Sequence, residues 1–381
     1  MELKAVLALK DGTVFKGKGF GFPTRIVGEV VFTTGMVGYT ESLTDPSYRG
    51  QILCFTYPLM GNYGVPSYNI IDNYELPLYF ESNKIQVSGV IVSEYCNYPD
   101  HYSSTKSLQE WLYNERIPGI YDIDTRELTK KLRSHGVMMG CLEVSHHIKE
   151  DELFDEIKRN KDYGEIDFVS QVSIKEPLTY FKKEKNVVLI DCGVKNSIIR
   201  NLLKRDLGVI RLPYNVSYED VLSYNPAGVV ISNGPGDPER CVETINLTKR
   251  IIEDKIPLLG ICLGNQILAL ALKGKTFKLK YGHRGQNKAC IDLTTGRGFI
   301  TSQNHGYAVD PKSIEGSEVE VWFTNADDAT VEGLRSKDEH LLAVQYHPEA
   351  SPGPYDTTFI FDIFAKVIKK EGENFSKTRM D

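Results

Sequence analysis

The 381-residue sequence contains no C-x-x-C pair, although it carries seven cysteines, at 54, 96, 141, 192, 241, 262 and 290. An odd set without close pairs argues against a disulfide framework and against a zinc ribbon or finger, and suits a reducing, cytoplasmic setting. Long apolar runs are absent too. The longest apolar stretch, 256–272, is broken by Asn265 and Gln266, and the first dozen residues lack a cationic start followed by an apolar core, so neither a membrane span nor secretion is expected. A formal net charge of -6 leaves no basic surplus for a phosphate backbone, which excludes nucleic acid as a partner. No G-x-x-x-x-G-K-[ST] occurs, so no ATP cradle is read in this chain. His146 and His147 are adjacent, not three or four apart, and read as solvated; no metal ligands are assigned.

What is present divides in two. From 1 to about 145 the pattern is one of short strands (5–9, 27–33, 52–55, 87–92) broken by Gly and Pro, with helices expected at 105–115 and at 125–135 behind Asp124. A Lys/Glu/Asp-rich stretch, 146–186, reads as a charged linker with one surface helix at 150–160. From 187 to 370 the rhythm becomes strand, loop, helix. The segments 187–191, 209–212, 228–232 and 257–261 are dominated by apolar residues, as buried parallel strands are, with helices at 195–205 and 242–254 between them. The expected fold class is α/β: a doubly wound, mostly parallel sheet in the C-terminal part, a smaller strand-rich α+β domain before it, and a tail at 371–381.

Within the second part, PLLGICLGNQ (257–266) frames Cys262 with Gly260 and Gly264, the spacing of a nucleophile elbow with cysteine in place of serine. A helix beginning at Leu263 would set the thiol beside orphan N–H groups that favour an anion. A buried cysteine used as small apolar filler is the competing reading. QYHPE (345–349) offers the base: His347 at a strand end, with Glu349 placed to accept from its second nitrogen, although a satisfied polar pair in a loop would look the same. SNGPGDP (232–238) supplies Gly234 and Gly236, either as turn glycines or as backbone donors which, with the N–H of Leu263, meet a developing oxyanion.

Together SNGPGDP, GICLGNQ, NHGY and QYHPE resemble the class I glutamine amidotransferases in order and spacing, and residues 28–64 resemble the amino domain of the small, glutamine-hydrolysing chain of carbamoyl-phosphate synthetase. The resemblance implies that Cys262 attacks the side-chain amide of L-glutamine to give a glutamyl thioester and ammonia, with His347 as acid and base and Glu349 holding the imidazole. It places glutamine on Ser47, Gly234, Gly236, Leu263, Gln266, Asn304, Gly306 and Tyr307, in a pocket where the two domains meet. Without it, Ser47 and Asn304 read as turn residues and Gln266 as a helix-surface amide. It implies no cofactor in this chain, with ATP and magnesium on a large synthetase chain that uses bicarbonate to make carbamoyl phosphate. The pair would form a heterodimer or a higher assembly of such units. An amidotransferase serving another acceptor and a non-catalytic regulatory subunit are the alternatives. Two departures stand out: Asn265 where many relatives have histidine, and Tyr307 where phenylalanine is common.

Overall fold

The computed structural model describes residues 3–378, with side chains as far as Lys369, and divides into two units, 1–168 and 169–381.

In the first unit seven strands close into a barrel in the order β1-β2-β8-β6-β4-β3-β9. They are β1 (Lys4–Leu9), β2 (Val14–Gly21), β3 (Arg25–Thr33), β4 (Gln51–Phe55), β6 (Gly89–Ile91), β8 (Pro118–Tyr121) and β9 (Met138–Ser145), with β5 (Leu59–Met60) and β7 (Glu94–Tyr95) pairing separately. Closure follows from what each strand must bury: every residue of β4 is buried, so it needs neighbours on both edges and cover on both faces. Phe20, Val31, Leu53, Val90 and Trp111 share one core cluster. The helix expected at 105–115 spans Leu108–Asn114, because the Ser107 hydroxyl accepts from the Glu110 N–H at 3.1 Å and caps it there. The helix Thr125–His135 starts behind Asp124, which accepts from the Glu127 N–H at 2.8 Å.

The 146–186 segment is not a free linker. Its helix Glu150–Arg159 buries Leu153 and Ile157 against Val6, Ala8, Met139 and Cys141 of the barrel, and the boundary between units falls after Phe168. Charged residues cover the outer face while these apolar positions, four apart, turn inward.

The second unit is a ten-stranded sheet in the order β10-β12-β11-β13-β14-β19-β18-β17-β15-β16. Its parallel half comprises β11 (Asn186–Asp191), β12 (Gly208–Pro213), β13 (Gly228–Ile231), β14 (Leu258–Ile261) and β19 (Leu341–Val344). The helices Asn196–Leu203, Val242–Glu253 and Leu263–Ala271 belong to this half. An antiparallel half extends it through β15 (Thr276–Asp292), β16 (Gly298–Val309), β17 (Val319–Asn325) and β18 (Val331–Ser336), and β10 (Leu178–Tyr180) pairs antiparallel with β12 at the other edge.

The C-terminal helix, Phe359–Thr378, continues through most of the segment expected as a tail from 371; residues 379–381 lie outside the described ones. Ile360, Phe361, Phe364 and Ile368 recur at helical spacing and are buried, which anchors its first turns. Each unit contains one of the two tryptophans, both buried: Trp111 in the barrel and Trp322 on β17. Among the described residues no helix is long and apolar enough to cross a membrane.

Candidate active site

Cys262 is held between a strand and a helix. β14 pairs with β19 in parallel, the Cys262 N–H donates to the Val344 carbonyl at 2.8 Å, and the next residue opens the helix Leu263–Ala271. The turn leaves Cys262 at φ 55° and ψ −100°, a strained conformation for a residue with a Cβ and the signature of a nucleophile elbow. Such tightness is possible only with small flanks: a Cβ on Gly260 would lie 2.6 Å from the Gly264 carbonyl oxygen. At the helix start the first N–H groups have no intrahelical acceptor, so the sulfur sits at a positive dipole end.

His347 and Glu349 follow β19. The loop is fixed by the His347 N–H, which donates to the Ser302 carbonyl at 2.8 Å. His347 Nδ1 lies 2.6 Å from Glu349 Oε1, and Nε2 makes no hydrogen bond. All three members of the expected constellation are buried, at 2% exposure for Cys262 and 1% each for His347 and Glu349.

Behind Glu349 is a residue that sequence reasoning did not assign. Lys195, 4% exposed, places Nζ 3.1 Å from Glu349 Oε1 and donates to the Ala350 carbonyl at 2.8 Å. Its loop is anchored by the buried carboxylate of Asp191. One oxygen accepts from the N–H groups of Gly193 and Val194, both at 2.9 Å; the other accepts from the Ile174 N–H at 2.7 Å and from Arg211 at 2.7 and 3.0 Å. The only sequence signal was position: Lys195 follows a parallel strand, at the sheet end where ligands gather.

These charges decide the protonation states. Burial opposes a charged imidazole, but the Glu349 carboxylate, and after it the Cys262 sulfur, outweigh burial and push His347 up to about 10. Burial would raise Glu349; Lys195 first and His347 second overcome that and hold it near 2. At neutral pH the resting site is therefore imidazolium and carboxylate. The stability contribution of Glu349 is complete above its ordinary 4.5 and is lost as pH falls toward about 2. That of His347 is complete below 6.5 and is lost as pH rises through about 10. Lys195→Met is expected to shift the acid limb to higher pH and to lower stability at pH 6 by on the order of 3 kcal/mol, since it removes the first of the two cations that hold the buried Glu349 carboxylate. Denaturant melts of wild type and variant across pH 2–7 would test this, and superimposable acid limbs would refute it.

The structure brings several expected substrate residues around the sulfur. Asn304, on β16, has its carbonyl 3.7 Å from Cys262 Sγ. Gly234, in the loop after β13, packs against the Leu263 side chain. Gln266 is not a surface amide: it is 3% exposed and donates to the Tyr307 carbonyl at 2.9 Å and to Gln345 Oε1 at 3.1 Å. Gln345, the first residue of the QYHPE segment, is fully buried, and its amide nitrogen lies 3.7 Å from Cys262 Sγ. Asn265, fully buried, donates to the same Gln345 oxygen at 3.3 Å, so this departure from the common histidine holds a neighbouring amide in place. Gly306 and Tyr307 lie on β16, and Gly236 at φ 92° lies in the loop with Gly234. Ser47 belongs to the first unit, buried in a short 3-10 turn where its N–H donates to Asp45 at 2.9 Å. A cleft of about 300 Å³ in the first unit, lined by Thr34, Thr56, Thr125, Arg126, Thr129, Lys130 and Arg133, contains none of these residues.

Comparison with known proteins gives two family matches: "Carbamoyl-phosphate synthase small chain, CPSase domain" over residues 7–142, and "Glutamine amidotransferase class-I" over residues 188–367. A carbamoyl phosphate synthase small chain from Methanocaldococcus jannaschii is 49% identical over 96% of this chain and 99% of its own. Proteins of the same description from Pyrococcus furiosus and Methanopyrus kandleri are 48% and 45% identical, over 96% and 97% of this chain and 98% and 100% of theirs.

Proposed function

From the premise that the chain belongs to the carbamoyl-phosphate synthase small-chain family, we propose that it hydrolyses L-glutamine at Cys262 and delivers ammonia to a large synthetase chain. The observation that carries the reading is the buried Cys262, His347 and Glu349 arrangement, backed by Lys195, in a chain matched to the family through both of its units.

The chemistry follows from the charges. The species that attacks the amide carbon of glutamine is the Cys262 thiolate, with His347 carrying the proton. A C–S bond forms, and the carbonyl electrons move to oxygen, where N–H groups of Leu263 and the Gly234 loop would stabilise them. As the tetrahedral species collapses, the C–N bond breaks, and nitrogen leaves as ammonia with the proton of His347. Neutral His347 then takes a proton from water as it attacks the thioester. The C–S bond breaks, glutamate departs, and the thiolate and imidazolium are restored. Glu349 and Lys195 keep the ring oriented throughout. In this reading Gln266, Asn304, Gly306 and Tyr307 hold the substrate. ATP, magnesium and bicarbonate chemistry belong to the large chain, with which this one forms a heterodimer.

The test is glutamate release by the purified chain, alone and with the large chain, ATP and bicarbonate. A rise of about tenfold or more is expected on addition, the scale of an ordinary coupling free energy. An unchanged rate would reopen the choice of acceptor enzyme.

A further inference from the structure

Three buried side chains from three strands converge, one of them on the strand that carries Asn304, Gly306 and Tyr307. His283 on β15 and His305 on β16 are cross-strand partners, and Glu332 comes from β18. Their exposures are 6%, 5% and 0%. Glu332 Oε1 lies 3.4 Å from His283 Nδ1 and 3.7 Å from His305 Nε2, and one donor atom from each residue falls within 4.8 Å of the others.

The surroundings settle which nitrogens carry hydrogen. His305 Nδ1 lies 2.9 Å from the Tyr307 carbonyl, which can only accept, so the proton is on Nδ1. His305 Nε2, facing the cluster, has no hydrogen-bond partner. His283 Nε2 lies 3.0 Å from Asp328 Oδ2, again an acceptor, so Nε2 carries a hydrogen, and in the neutral ring Nδ1 is a lone pair toward Glu332. Glu332 Oε2 is unpartnered. The nearest donor is the Asn325 amide, at 3.3 Å from Glu332 and 3.5 Å from His283; its orientation is fixed by the Asp327 N–H, which donates to its oxygen at 2.8 Å. Two imidazole lone pairs and a carboxylate therefore face one another in a buried space.

Such a set needs a positive centre. A second proton on one imidazole would draw it to the carboxylate at about 2.7–2.9 Å, shorter than either separation here. Three ligands at about 2.0–2.2 Å from one zinc ion stand roughly 3.4 Å apart, close to both. We propose that His283 Nδ1, His305 Nε2 and Glu332 form a site for a divalent transition metal of the zinc type. The imidazole content disfavours magnesium and calcium. Asp328 and the Tyr307 carbonyl are the outer partners, each holding the far nitrogen of a ligand imidazole, as carboxylates and carbonyls do at zinc. The ion ties β15, β16 and β18 together and so holds His305, whose neighbour Asn304 reaches the Cys262 sulfur.

The experiment uses the full chain carrying Cys262→Ser, which removes the reactive thiol as a competing ligand. The protein is stripped with chelator, equilibrated with Zn²⁺ or Co²⁺, and assayed for bound metal. Expected are one ion per chain and, with cobalt, the visible bands of four-coordination without thiolate charge transfer. Adding Glu332→Gln should abolish stoichiometric uptake. Adding Asp328→Asn, whose side chain is 42% exposed and so puts folding at little risk, should weaken binding about tenfold. No stoichiometric uptake by the stripped chain, or equal affinity in the Glu332→Gln and Asp328→Asn forms, would overturn the site. Because metal uptake is read without glutamine, this outcome is separate from that of the proposed hydrolysis.

Discussion

Cys262→Ser is expected to lower glutamine hydrolysis by about a thousandfold or more, equivalent to roughly 4 kcal/mol of transition-state stabilisation. The size of the loss follows from the resting charges. His347 is held as imidazolium by Glu349, so the nucleophile cannot rely on that ring to take its proton. A serine hydroxyl in the same elbow keeps its proton, and a protonated His347 has no free nitrogen to take it. The substitution is nearly isosteric, so the Asn304 carbonyl and Gln345 amide around the sulfur should stay in place. Glutamine binding is then expected to persist, and equilibrium binding by the variant separates lost chemistry from lost structure. Hydrolysis within a few-fold of wild type would remove Cys262 from its assigned role.

The second large effect concerns folding. In Gly264→Ala the new Cβ would stand 2.2 Å from the Ile231 carbonyl oxygen and 3.0 Å from its carbon, both backbone atoms of β13. That strand cannot retreat without breaking its pairing to β14, where Ile231 sits opposite Gly260. Overpacking that side chains can absorb costs about 1–3 kcal/mol. Here backbone must move, so about 3 kcal/mol is a floor, and the second unit should melt roughly 10 °C lower. Gly298→Ala is the matched control, since the nearest atom to its Cβ is 4.0 Å away. If both variants melt within a degree of wild type, the approach of the helix to β13 is looser than these distances require.

What could be read beforehand depended on how local each signal was. The parallel strands were legible because residues such as those of 187–190 are apolar on both faces, which few other environments tolerate. Cys262 was legible from the glycines two positions to either side, and the pairing of His347 with Glu349 from adjacency in one loop. The antiparallel half was not. β15 mixes exposed and buried positions and shifts register twice against β16, so neither a period of two nor an apolar run marks it. Lys195 meets Glu349 only because the parallel strands β11 and β19 both terminate at the same end of the sheet, a fact of topology and not of spacing. His283, His305 and Glu332 come from three strands and carry no metal-ligand spacing. In the first unit single strands could be read, but barrel closure could not, because which edges pair is written in no one strand.

The placement of one buried tryptophan in each unit turns the molecule into its own pair of spectroscopic probes. With Trp322→Phe, the remaining emission reports only on the barrel through Trp111; with Trp111→Phe, only on the amidotransferase sheet. Coincident denaturation curves would mean that the two units lose structure as one cooperative body, whereas separated curves would give each its own free energy. Every stability change argued above could then be assigned to the unit in which it arises.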